Sequence, residues 1–306
     1  MLYISQEITP YLKPDVMSTL GQMVPQCMIE KGLEVRTFMP RYACINERRN
    51  QLHEVIRLSG VNIVIDDNDH PLIIKVATLQ PSRMQVYFID NDDYFLRQRA
   101  EDLEINTMPE ENDERCIFFV RGVIETVRKL RWESGIIHCS GWITALAPLY
   151  IKHSYAEDPS FVGAKMVYSL FGNGFEGTLD PRFREKLKME GFDDELLKTL
   201  GTEAVDFKTL NKFAIDHADA IIQATDDVDP ELVEYAKASG KPFMPYPGAE
   251  NYADAYYNFY TSLEYFTYAL RIYQPSDRRT RTAAAVCTRC LRADIKHRPV
   301  GNRRTD

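Results

Sequence analysis

Long apolar runs are missing from this chain of 306 residues. No stretch approaches 18 apolar residues, so no membrane-spanning helix is expected. The amino terminus has no basic stretch followed by an apolar one, which argues against a signal peptide. The six cysteines (27, 44, 116, 139, 287 and 290) lack the spacing of a disulfide framework. Free thiols in a reducing compartment are expected, and with them a cytoplasmic location. There is no Walker loop, no Ser-His-Asp or Cys-His nucleophile arrangement and no internal repeat. Cys287-x-x-Cys290 with His297 has no second ligand pair, as a zinc site requires. Asp66-Asp67-Asn68-Asp69 lacks the glycine and terminal glutamate of a calcium loop, and reads as a turn. Neither a metal nor a cofactor is therefore expected.

The charge is unevenly spread. The whole chain carries a formal net charge of −8. Residues 271–306 hold ten Lys/Arg against three acids, so the preceding 270 residues are strongly acidic. An acidic body does not attract nucleic-acid phosphates or anionic lipid, and neither partner is expected. Glu110-Glu111-Asn112-Asp113-Glu114 reads as a solvated helix start favoured by the helix dipole.

What is present is an alternation of strands and helices. Leu2–Ser5 is a strand, a helix is expected over about 18–31, and 33–40 is a second strand. Such a βαβ unit builds a parallel sheet. Four strand-like runs follow, at 54–58, 61–65, 72–76 and 84–89, and read as an inserted β-meander. The spacing then predicts helix over 113–130, strand over 135–139, helix over 142–153 and strand over 165–170. Residues 181–205 look helical and exposed, 211–217 helical, 220–224 a strand. Asp229-Pro230 reads as a cap and first-turn proline of another helix, before a short strand at 242–246. Residues 251–273 form a Tyr-rich helix, expected to dock on the domain or a partner; beyond Tyr273 the chain is predicted to be disordered.

Several segments resemble, in order, those of the glycogen/starch synthase family. They are Ile4–Lys13, Gly32–Arg36 with Met39–Tyr42, Val86–Arg97, Asn112–Arg115 with Phe118, Phe119 and Arg121, Ile137–Pro148, and Asp216–Leu232. The resemblance implies an α/β fold: a Rossmann-like doubly wound parallel sheet with the inserted meander, forming the amino-terminal half of a GT-B fold. It implies a domain over 1–263 and an extension over 264–306, with the family's second domain not represented in the chain. It also implies α-1,4-glucosyl transfer from ADP- or UDP-glucose to a glucan. Residues Lys13, Glu7, Tyr94, His138 and Trp142 are the candidates for binding sugar nucleotide or glucan.

Three places depart from the family pattern. Its donor loop, K-T-G-G-L, is Lys13-Pro14-Asp15-Val16-Met17 here, without either glycine and with an acid where a diphosphate would sit. Its His-Asp pair is replaced by Ser140-Gly141, so catalytic residues are unknown. His138 occupies a different position of the motif, where a locally satisfied strand-end histidine is the other reading. The family's T-I-H-N-x-x-Y-Q-G loop is met by Tyr168–Gly177, rich in glycine but without that signature. These departures keep two alternatives open: a non-catalytic glucan- or nucleotide-binding module of glycogen metabolism, or one half of a split synthase whose protein partner supplies a second Rossmann-type domain.

Overall fold

The computed structural model describes residues 1–96 and 111–272, with side chains described up to 95 and over 111–263. Residues 273–306, with the Cys287/Cys290 pair, lie outside the described residues, as do Arg97 and Glu110. Backbone contacts group Met1–Phe259 into one unit and place Tyr260–Asp306 in another.

In chain order the strands are β1 (Leu2–Ser5), β2 (Arg36–Pro40), β3 (His53–Glu54), β4 (Val61–Ile65), β5 (Asn68–Leu79), β6 (Met84–Asp90), β7 (Ile136–Ser140), β8 (Lys165–Leu170), β9 (Ala220–Gln223) and β10 (Phe243–Met244). The helices are α1 (Val16–Glu30), α2 (Asn112–Leu130), α3 (Ala147–Leu149), α4 (Phe183–Met189), α5 (Phe207–His217), α6 (Pro230–Ala238) and α7 (Tyr252–Ile272). The sheet runs β10-β9-β8-β7-β1-β2-β6-β5-β3, with β4 paired to β5 alone. Every pair from β10 across to β6 is parallel. Strands β1 and β7 are buried at every residue, as expected of parallel strands covered on both faces. The expected α/β sheet is therefore present. The meander is the antiparallel run β4-β5-β6, whose last strand returns to pair in parallel with β2.

Three local expectations are corrected. The run at 54–58 is a strand only at His53–Glu54; Leu58 and Ser59 then donate their amides back to the Val55 carbonyl, closing a turn with Ile56 exposed. Residues 181–205 are not one exposed helix. They hold α4, end it at Gly191 with φ of +95°, and bury Phe183, Lys186 and Leu187. The stretch 142–153 is a 3-10 turn, the short α3 and a wider π-type turn, because Pro148 has no amide to offer a continuous α-helical ladder. Asp66 and Asp67, both at positive φ (48° and 64°), form the two-residue link between β4 and β5, a type I′ geometry.

The start of α2 is not a solvated acidic cluster either. Asn112, Asp113 and Arg115 are fully buried. Arg115 donates to the Tyr94 carbonyl (2.8 Å), Asn112 Oδ1 (3.0 Å) and Glu111 Oε2 (2.6 Å). Lys186 of α4 reaches Asp113 Oδ2 at 2.7 Å and Glu114 Oε1 at 2.6 Å. Burial alone would depress this ammonium, but its bonds to the two carboxylates outweigh burial and hold it above the ordinary lysine range.

Candidate functional site

Strand order reverses between β1 and β7: the chain winds from β1 through β2 to β6 on one side, and from β7 through β8 to β10 on the other. In open α/β sheets the crevice outside the carboxyl ends of the strands at such a point is where ligands bind. Here that edge is built from Gln6 and Glu7 after β1, Ser140 and Gly141 ending β7, the loop after β8 and the loop after β9.

Gln6 extends β1 by donating its amide to the Ser140 carbonyl (2.9 Å), and its own carbonyl accepts from the Tyr42 hydroxyl (2.9 Å). Gly141 has φ of +89°, and a Cβ there would lie 2.8 Å from the Gln6 side chain and 3.2 Å from Met17 Sδ. A glycine is therefore required where the family's acid stands. Glu7 accepts from Gln6 Nε2 at 3.2 Å. Burial, reinforced by the negative charge of Asp15, pushes its carboxyl up to about 7.

Helix α1 begins two residues earlier than the spacing predicts, with Asp15 as its N-cap. Asp15 Oδ1 accepts from the Ser18 amide at 2.6 Å, and Ser18 Oγ accepts from the Asp15 amide at 3.0 Å, a reciprocal capping box. Ser18 Oγ also donates to the Lys13 carbonyl (2.9 Å) and meets Thr9 Oγ1 at 3.1 Å. In the first turn of α1 the Ser18 amide is thus taken by the chain's own Asp15 side chain.

A cavity of about 280 Å³ opens beside that turn. Its walls carry three carboxylates (Asp15, Asp226, Asp227), two tyrosines (Tyr246, Tyr252) and Asn173. No lysine, arginine or histidine is among its described lining residues. An apolar hollow of about 410 Å³ adjoins it along α1, sharing Asp15, Val16, Ala249 and Tyr252. The glycines of the β8 loop serve packing. A Cβ on Gly172 would meet Asp227 at 2.3 Å, and one on Gly174 would meet the Phe207 ring at 2.3 Å.

The candidates named from sequence divide in two. Lys13 is exposed and Glu7 half-buried, both at the edge. The other three stand in the interior. His138 is fully buried, stacked on Tyr3 (4.5 Å between ring centres, 2° between planes), with Nε2 at 3.1 Å from Ser169 Oγ. Burial depresses it to about 3, so the ring is neutral. Trp142 is 1% exposed and packs edge-on to Phe175 at 5.0 Å. Tyr94 donates to Glu114 Oε2 at 2.7 Å and lies 2.9 Å from His70 Nε2, joining the buried group around Lys186. Asn173, Asp226, Asp227, Tyr246 and Tyr252 were not among the candidates. Their common signal is position just after β8, β9 and β10, at the carboxyl edge.

A larger hollow, about 670 Å³, lies by the amino ends of β9 and β10. Its charged groups have internal partners: Lys152 with Asp219, Lys198 with Glu195, and Lys241 with the carbonyls of Ile215 and Asp216. Among the described residues there is no group of three metal-ligating side chains, and no helix long and apolar enough to cross a membrane.

A parallel sheet with a central switch point and a ligand-sized cavity on its carboxyl edge defines a Rossmann-type binding domain. Comparison with known proteins narrows this. The family model for the starch synthase catalytic domain matches residues 1–240, and the chain belongs to that family. It is 34% identical over 209 residues to a glycogen synthase of Chlorobaculum parvum, covering 65% of this chain and 43% of that protein. It is 32% identical over 244 residues to one of Chlorobaculum tepidum, covering 76% and 47%. The catalytic domain of starch synthase IV from Arabidopsis thaliana, solved bound to ADP and acarbose, shares the fold. The TM-score is 0.64 at 18% identity, over 80% of this chain and 50% of that one. The chain thus spans about half the length of the relatives it matches or less.

Proposed function

We propose that the chain takes part in α-1,4-glucosyl transfer from ADP- or UDP-glucose to an α-glucan, in the cytoplasm, as one wall of a two-domain cleft. The observation that carries this is the family match over 1–240, laid on a sheet whose switch-point edge holds the cavity. The domain takes in residues 1–263, and 264–306 is an extension. In the reaction the bond from glucose C1 to the diphosphate oxygen breaks as a bond to a glucan hydroxyl forms, through an oxocarbenium-like state. Such a state needs the reacting groups held together and water kept out, which one wall does not achieve alone. A second Rossmann-type domain, on a partner polypeptide or in further sequence, supplies the opposite wall.

On this reading Lys13 meets the donor from the rim, and Glu7 lies beside it at the end of β1. Tyr94, His138 and Trp142 act from behind, shaping the edge without touching ligand. The test is incorporation of labelled glucose into glycogen from ADP- and UDP-glucose, with the chain alone and together with a family second domain. Incorporation in the mixture is expected; none under any condition sinks the transfer reading. A second reading, a glucan-binding module without catalysis, is favoured by Ser140 and Gly141, which bring no acid or base to the edge.

A further inference from the structure

The amino terminus of a helix pointing at a ligand crevice is ordinarily a seat for phosphate, because its free N–H groups and dipole favour an anion. Helix α1, 15 residues long, points its first turn at the switch-point edge, and the cavity is lined there by Asp15, Val16 and Met17. The seat already holds a carboxylate, bound to one of its amides. The Asp15 carboxylate takes the Ser18 amide at 2.6 Å, and Ser18 Oγ takes the Asp15 amide in return. Asp226 and Asp227 line the same cavity, and none of its described lining residues is a cation. In the β8 loop Gly172 is pressed against Asp227, which brings a carboxylate to this wall.

The other lining groups suit a different ligand. Tyr246 and Tyr252 offer rings on which the C–H face of a sugar packs, and Asn173 offers both a donor and an acceptor. The carboxylates accept hydrogen bonds from hydroxyl groups. Thr225 Oγ accepts from the Gly172 amide at 3.2 Å, which orients its hydroxyl without consuming its proton.

We infer that Asp15 is a specificity residue: as a built-in anion on the amino terminus of α1, it turns phosphate-bearing ligands away from this cavity and leaves it to an uncharged sugar. The inference rests on the proposal that carbohydrate approaches this edge, and it adds which chemical form this wall accepts. The diphosphate of a donor then has to be neutralised from the opposite wall.

The experiment is a pair of binding titrations on the full chain, by calorimetry and by NMR, with maltotriose and with ADP-glucose. Each is run on the wild type and on Asp15→Asn, which keeps a capping oxygen while removing the charge. The wild type is expected to bind maltotriose with shifts centred on Asn173, Tyr246 and Tyr252, and to prefer it to ADP-glucose. Asp15→Asn is expected to move the ratio of the two affinities about tenfold toward ADP-glucose. Because Asp15→Asn could fold less well, circular dichroism of both proteins accompanies the titrations, and Asp15→Ser serves as a second neutral cap. The inference is overturned if the wild type binds ADP-glucose as well as maltotriose, if neither folded neutral-cap variant moves the ratio, or if maltotriose leaves the cavity unperturbed. No turnover is needed. A chain inert in glucosyl transfer whose ratio moves loses only the transfer reading, and an active chain whose ratio stays fixed loses only this one.

Discussion

Two helix amino termini in this molecule carry the same kind of residue and treat it in opposite ways. At α2, Asp113 and Glu114 are packed around the ammonium of Lys186, and Asp113 is fully buried. At α1, Asp15 lines a cavity whose described lining contains no cation, and the carboxyl of Glu7 is close enough to feel its charge. The acids at α2 are consumed internally and hold α2 to α4; those at α1 leave negative charge at an open edge. Acidity at a helix start therefore says little about role until its counter-charge is known.

The sharpest way to break this contrast is to remove the counter-charge at α2. Lys186→Met leaves buried carboxylates unpaired and is expected to lower stability by about 3–5 kcal/mol, read from urea unfolding. A loss below about 1 kcal/mol would mean that the α2 cluster is as open to solvent as the α1 edge. Next comes Gly141→Ala, which forces a side chain into positive φ and against Gln6. It should cost about 2–3 kcal/mol in the same assay.

Glu7→Gln tests the charge crowding at α1 with the opposite sign. The carboxyl of Glu7 is raised from 4.5 to about 7 in the folded state. Its contribution to stability is full below pH 4.5 and is lost as pH rises through 7. The glutamine variant is therefore expected to be the more stable protein at pH 8, by about 2 kcal/mol, with the difference vanishing below pH 4.5. His138, depressed to about 3, acts in the other sense: its contribution is present above 6.5 and is lost as pH falls through 3. It is common to both proteins and cancels in the difference. Equal stability at pH 8 would place Glu7 in water. The smallest effect is Asp15→Ala, at about 1 kcal/mol for a lost cap. A much larger loss would make Asp15 a structural anchor like Asp113.

The same contrast marks what was legible from sequence. Parallel strands read well because Leu2–Ser5, Ile136–Ser140 and Lys165–Leu170 are short, apolar and bounded by turn residues. The cap and first-turn proline at Asp229-Pro230 also read correctly, because both signals are local. The order of resembling segments led to the family. Side-chain destinations did not read. Nothing near Asp113 in sequence announces Lys186, 73 residues away. Residues 181–205 looked exposed, yet Phe183, Leu187, Phe192, Leu197, Leu200 and Val205 are buried and Met189 stays outside. At the site, starting α1 at Ser18 hid the cap at Asp15, and the cavity combines loops that only the sheet brings together.

The capping box at Asp15 and Ser18 has a consequence for the tempo of recognition. Through Thr9, Lys13, Asp15 and Ser18 the loop after β1 is tied to α1 before any ligand arrives. A sugar entering the cavity meets a wall that does not have to be assembled, so association is expected to be a single phase whose rate rises linearly with ligand concentration. On the proposed two-domain reading, any slow step in transfer then belongs to the closing of the opposite wall.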